Sequence, residues 1–204
     1  MKIALYGATG MVGSRIAVEA LSRDHRVTAL SRHLAEAPAG TEPRLGDASD
    51  SDDVARVAAE HDVVICAIGP SRSGGRPEVF LHAIATLVEN VGTRRLVVVG
   101  DAGSLEVAPG LRLLDAPEFP AAVRAEALAQ AAALELLRDS GGFADWVYVS
   151  PPPSLSPGER SGHYRVGVNT PVGDWISAED FAVAIVDEVE RPRARRERFT
   201  VAHY

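Results

Sequence analysis

Lysine is almost absent from this chain of 204 residues: Lys2 is the only one, and every other fixed basic side chain is an arginine. Any chemistry that needs a lysine deeper in the chain is therefore excluded. Cysteine is just as scarce. Cys66 stands alone, which rules out an internal disulfide and a cysteine-held metal cluster. No apolar run approaches the roughly 18 residues of a membrane-spanning helix, so no membrane partner is expected. The sequence opens on a strand-like segment with one lysine rather than on a charged region and a signal-type apolar run, and a cytoplasmic location is expected. The formal net charge of -7 argues against nucleic acid as a partner. His25, His33, His61 and His82 are scattered without metal-ligand spacing, and no metal site is expected.

What is present is concentrated in the opening stretch. Ile3 to Tyr6 read as a short buried strand, followed by Gly7, Gly10 and Gly13 in a Gly-x-x-Gly-x-x-Gly pattern. From Met11 to about Leu21, Val12, Ile16, Ala17 and Ala20 recur at helical spacing. A strand, a glycine-rich turn and a helix, in that order, open a dinucleotide-binding unit. Gly7 allows the sharp turn, Gly10 lets the backbone approach a pyrophosphate, and Gly13 lets helix and strand pack closely. The unpaired N–H groups at the start of the helix then face the phosphates.

The rest of the chain alternates in the same way. Arg26 to Arg32 forms a second strand, whose end carries Ser31 and Arg32 where an NAD-preferring fold would carry an acid. A hydroxyl and a guanidinium suit a 2′-phosphate instead, so NADP is the expected cofactor, and Arg15 could add charge there. Arg44 to Asp47 is a short third strand and turn, which puts Asp47 at a strand's carboxyl end. Ser51 caps a helix to about Glu60. Asp62 to Pro70 is a strand buried on both faces, with Cys66 in the core. Ser71–Pro77 is a glycine-rich loop, and a helix follows from about Glu78 to Val91. Arg95 to Gly100 is the fifth strand, and Ser104 to Glu118 an extended loop over the active face. A long helix starts at Pro120, has Val123, Ala127, Leu134 and Leu137 on its core face, and ends at Gly141 and Gly142. Asp145 to Ser150 is the sixth strand, stopped by Pro151, Pro152 and Pro153. Residues 151–176 form a substrate-side excursion with one short strand near Tyr164 to Val168. Ser177 caps a helix to about Glu190, with Asp180 in the reciprocal position of a capping box. Arg191 to Arg198 is a solvated linker, and Phe199 to Val201 a last strand. The whole is one α/β domain, 1–204, with a doubly wound parallel sheet and helices on both faces.

Lys2-Ile-Ala-Leu-Tyr-Gly-Ala-Thr-Gly-Met-Val-Gly resembles the atypical short-chain dehydrogenase/reductase superfamily, and within it the NADH-flavin reductase group, to which biliverdin reductase B is similar. Gly46-Asp-Ala48, Val64 to Gly69, Val97 to Gly100, Ser104, Ser150-Pro-Pro, Gly162 to Val166 and Ile176 to Asp180 fall in that group's order. The resemblance implies a Rossmann-type fold with NADP over the first helix, held by Gly7, Thr9, Gly10, Met11, Val12 and Gly13. It implies Ser31 and Arg32 at the 2′-phosphate, and Asp47 and Ala48 near the adenine. Ala67, Ile68, Gly69 and Pro70 would lie along the ribose and nicotinamide side, with Ser104, Pro151 and Pro152 around the nicotinamide.

The sequence departs from the pattern in two ways. Carbonyl-reducing members use a Tyr-x-x-x-Lys pair, in which the lysine helps the tyrosine pass a proton; with Lys2 the only lysine, that pair cannot exist here. Where biliverdin reductase B has a histidine after its Pro-Pro pair, this chain has Pro153. Reduction of a flavin (FMN or FAD as substrate), a quinone or a similar conjugated acceptor tolerates both losses, because the protein needs mainly to stack two rings in reacting geometry. The alternative is a non-enzymatic NADP sensor of the negative-transcriptional-regulator type. A nucleotide-sugar epimerase is disfavoured by the missing pair. Ser104 could meet the nicotinamide or merely cap a loop. His163 and Tyr164 could touch the acceptor, or be one exposed and one core residue of a short strand. The oligomeric state, monomer or dimer, is open.

Overall fold

The structure is a computed structural model and describes residues 1–32, 37–71, 75–142 and 144–204. Its elements run β1 (Lys2–Tyr6), α1 (Met11–Ser22), β2 (Arg26–Ser31), β3 (Glu42–Leu45), α2 (Ser51–Glu60), β4 (Val63–Cys66), α3 (Pro77–Asn90), β5 (Arg95–Val99), β6 (Glu106–Ala108), β7 (Leu111–Arg112), a 3-10 turn (Leu113–Asp115), α4 (Ala121–Asp139), β8 (Asp145–Ser150), β9 (Ser154–Ser156), β10 (Arg165–Gly167), β11 (Trp175–Ser177), α5 (Ala178–Glu190) and β12 (Glu197–Ala202). Eight strands form one sheet in the order β10-β12-β8-β5-β4-β1-β2-β3. Neighbours are parallel except β10, which lies antiparallel on β12 at the edge.

Two-residue periodicity sorts each central strand onto two cores. Ile3, Leu5, Val63, Ile65, Val97, Val99, Val147 and Val149 face α1 and α5. Ala4, Tyr6, Val64, Cys66, Leu96, Val98, Trp146 and Tyr148 face α2, α3 and α4. A strand apolar on both faces is the signature of a parallel sheet covered by helices on both sides. Burial pushes the Cys66 thiol up to about 11, which fits a core residue and not a nucleophile.

Several local expectations are corrected. Asp50, not Ser51, caps α2, accepting from the N–H groups of Asp52 and Asp53. The loop expected over Ser104 to Glu118 contains the β6–β7 ribbon and the 3-10 turn. Val123 is 42% exposed instead of lying on the core face of α4. Ser140, rather than Gly141, ends that helix. The excursion carries three short strands, not one, because β9 and β11 pair in parallel below it. The arginine-rich segment is not a solvated linker throughout. Arg196 donates to the carbonyls of Ser140 and Gly142, and Arg198, on β12, is 3% exposed.

Candidate cofactor groove and active site

The turn after β1 shows why three glycines stand there. Gly7 has φ +80°, and a Cβ on it would lie 2.7 Å from the Ala67 carbonyl at the end of β4. A Cβ on Gly13 would lie 2.0 Å from the Gly7 oxygen, so α1 seats on β1 only because Gly13 has no side chain. Gly10 differs: the nearest atom to its Cβ position is 3.4 Å away, so the protein itself leaves room there. Gly10 is also the residue before α1. It offers no side-chain cap, and the first turn holds no acid. An uncapped helix start with a bare Cα beside it suits a bound phosphate.

Above this turn, across the carboxyl ends of β1, β2 and β4, runs a groove of about 710 Å³. Gly7, Thr9, Gly10, Ser31, Arg32, Asp47, Ala48, Ala67, Ile68 and Gly69 line it, joined by Ser49, Gly75, Arg76, Val79, Phe80 and Ala83. Asp47 accepts from the hydroxyl of Ser49 at 2.6 Å and from its N–H at 2.9 Å. Those bonds, and then the charges of Arg32 and His82, hold its carboxyl below the usual range. An anion and the Arg32 cation therefore share the β2–β3 end of the groove. The size and donor set fit an extended dinucleotide: backbone amides at the middle, and a hydroxyl and a guanidinium at one end.

Other expected residues stand elsewhere. Met11 is exposed beside the turn and Val12 packs toward the α1–α5 core. Arg15 does not reach the Ser31 end; its guanidinium pairs with Glu179 on α5 at 3.0 Å. Pro70, Pro151 and Pro152 do not line the groove; Pro151 and Pro152 are buried directly after the carboxyl end of β8. Ser104 is 6% exposed, and its hydroxyl and carbonyl both accept from Arg198, at 3.0 Å and 2.7 Å. That engagement favours its structural reading. The Tyr164 hydroxyl donates to Asp187 on α5, and His163 is exposed in the excursion; neither lines the groove. Lys2 opens β1, at the other end of that strand from the groove. His33 and residues 72–74 of the glycine-rich loop lie outside the described residues. Among the described residues no cluster of potential metal ligands occurs, and no helix is long and apolar enough to cross a membrane.

Two polar groups that the sequence reading passed over stand at the β5 side. Asp101 directly follows Gly100 at the carboxyl end of β5, and its Oδ1 is buried with no hydrogen-bond partner. Gln130, 7% exposed in an alanine-rich stretch of α4, accepts the Tyr148 hydroxyl at 3.0 Å. Its Nε2 is 3.9 Å from the Cβ position of Gly69, a residue of the groove wall. The signal for Asp101 was readable by the logic applied to Asp47, an acid at a parallel strand's carboxyl end. Gln130 gives no such signal, because only the packing of α4 on β4 and β8 brings it there.

Comparison with known proteins agrees with this geometry. A solved structure from Burkholderia pseudomallei, provisionally named an exported protein, is 42% identical over 100% of both chains with a TM-score of 0.89. One from Bacteroides thetaiotaomicron, provisionally named an epimerase, is 37% identical over 99% of this chain and 96% of that one, with a TM-score of 0.86. A third, from Streptococcus pneumoniae TIGR4, provisionally named an NADH-flavin reductase, is 30% identical over 100% of both chains with a TM-score of 0.88. Residues 7–192 match the model of the NAD(P)H-binding family, and the chain belongs to that family.

Proposed function

We propose that this NAD(P)H-dependent oxidoreductase uses NADPH to reduce a flavin, a quinone or a similar conjugated ring acceptor. The observation that carries the reading is the groove itself, which runs past the open side of Gly10 with Ser31 and Arg32 and also Ala67–Gly69 in its wall. Bound NADPH would supply hydride. Gly7, Thr9, Gly10 and the first N–H groups of α1 would hold its pyrophosphate, Ser31 and Arg32 its 2′-phosphate, and Asp47 and Ala48 would flank the adenine. The short carbon chain of Ala67 and the bare backbone of Gly69 leave space for two stacked rings.

The choice of acceptor rests on what the chain lacks. Epimerase and alcohol–ketone chemistry need the Tyr–Lys pair, and the single lysine lies at the far end of β1. A ring acceptor needs stacking and a proton, not that pair. The partner is thus a small molecule, and we place the work in the cytoplasm, where reduced nicotinamide is plentiful.

The test is steady-state oxidation of NADPH and NADH with FMN, FAD, riboflavin and quinones. Acceptor-dependent oxidation with NADPH preferred is expected. Tight NADPH binding with no turnover on any acceptor would instead support the non-enzymatic sensor.

A further inference from the structure

We propose that Asp101 is the proton donor of this reduction, an inference that rests on the reductase reading above. The chain has neither a Tyr–Lys pair nor a histidine at Pro153, so the proton comes either from another side chain or from solvent. In the sheet order β8-β5-β4-β1, the groove crosses β1 and β4, and the next strand end along the same line is β5, where Asp101 stands just beyond the residues that line the groove. It occupies the side toward which the nicotinamide end of a dinucleotide points once its other end lies at Ser31.

Oδ1 of the carboxyl is buried without a partner and, among the described residues, is the only carboxylate oxygen in that state. Oδ2 sits 3.0 Å from the Cβ position of Gly103, next to Ala127 of α4, where any larger residue at Gly103 would displace it. The charged and titratable groups near it are Arg198 from β12, Glu126 from α4 and Tyr148 from β8. Arg198 forms no ion pair with Asp101 among the described residues. Two of its guanidinium nitrogens donate to the oxygens of Ser104 and Asn169, and its Nε is buried without a partner. Burial is therefore the strongest influence and raises the carboxyl to about 7, against the weaker pull of the Gly103 N–H and Arg198. A carboxylic acid that keeps its proton near neutrality is the group that general acid catalysis calls for.

The step balances. The acceptor takes hydride from NADPH and a proton from Asp101: the carboxyl O–H bond breaks as a bond from hydrogen to an acceptor heteroatom forms. The products are oxidised cofactor, reduced acceptor and aspartate, which regains its proton from solvent.

Two measurements test this. The first is carbon-13 NMR of aspartate carboxyls across pH in wild type and Asp101→Asn. One carboxyl titrating near 7 in the wild type and missing in the variant is expected. If every aspartate ionises in the ordinary range below about 5, the proposal is overturned whatever the activity. The second is the pH profile of kcat/KM for NADPH with a quinone acceptor. Because the acid form is the active one, the wild-type rate should fall as pH rises through about 7. Asp101→Asn should lose that falling limb and about 100-fold of the rate at low pH, with NADPH affinity, read by fluorescence, unchanged. A variant with the wild-type profile overturns the proposal and leaves the reductase reading standing. A wild type with no acceptor-dependent oxidation overturns both.

Discussion

At the scale of single residues, the three glycines of the first turn are not equivalent, and the difference can be measured. Gly13→Ala would drive a methyl into the Gly7 oxygen, at 2.0 Å from the Cβ position. Loss of about 3 kcal/mol of stability, or failure to fold, is expected in denaturant unfolding, at the upper end of what overpacking costs. Gly10→Ala meets nothing closer than 3.4 Å and should fold with nearly wild-type stability. Its methyl would stand where a phosphate must approach, so NADPH affinity should drop about 10-fold, the equivalent of one ordinary hydrogen bond. Arg32 yields a third test. Arg32→Asp removes a charge-assisted phosphate partner worth about 1.5–3 kcal/mol, so NADPH affinity should fall by about 10- to 100-fold and NADH affinity little. Equal losses for both cofactors would contradict a 2′-phosphate at this position. The packing roles of Gly7 and Gly13 were legible because their spacing falls between an apolar strand and a helical period. The isolation of Ser104 under Arg198 was not, since the two lie 94 positions apart and meet only through β12.

At the scale of elements, several carboxylates of α1 and α5 tie the excursion to the body, and Asp180 is the most deeply buried of them. Asp180, fully buried in the first turn of α5, accepts from the N–H of Gly162 at 2.8 Å, from the Ser161 hydroxyl and from His203 Nε2 at 2.8 Å. The Ser177 hydroxyl meanwhile accepts from the Asp180 N–H at 3.0 Å. Half of the expected capping box is therefore present. The other half is diverted, since the acid reaches across to the excursion and the last strand instead of back to its own cap. A capping signature in sequence reports where a helix begins and cannot report a side chain recruited by a segment twenty residues away. Burial alone would raise the Asp180 carboxyl, but the bonds from Ser161, Gly162 and His203 outweigh it and hold it below the ordinary range. A depressed folded-state value contributes stability above the ordinary carboxylate pKa of about 4 and loses it as pH falls through the folded value. Wild type should accordingly lose stability to acid in that range more steeply than Asp180→Asn. At neutral pH Asp180→Ala should cost about 3 kcal/mol, because four donors, the Ser161 N–H included, lose a buried acceptor. A thermal melt series across pH checks both; parallel acid curves for wild type and Asp180→Asn would show that this carboxylate is not such a tie.

At the scale of the molecule, the alternation of apolar runs with helical periods was enough to read a doubly wound sheet, because a parallel sheet buried on both faces can hardly be written any other way. At the edge, the short strands near Tyr164 to Val168 and at Phe199 to Val201 were legible as strands, but the antiparallel setting of β10 on β12 was not, since it comes from tertiary pairing alone. The site divides along the same line. The part built by one contiguous turn, Gly7 to Gly13, was readable. Asp101 carried the same strand-end signal as Asp47, whereas its neighbours from β8, β12 and α4, Tyr148, Arg198 and Glu126, required the packed molecule.

The account stands on the groove over β1, and the most direct test is fluorescence titration of the wild-type protein with NADPH and with NADH. Saturable binding of both is expected, with NADPH tighter by about 10-fold or more, as an added charge-assisted phosphate contact requires. Equal affinities would contradict the role given to Ser31 and Arg32, and no saturable binding of either cofactor would contradict the groove as a dinucleotide site.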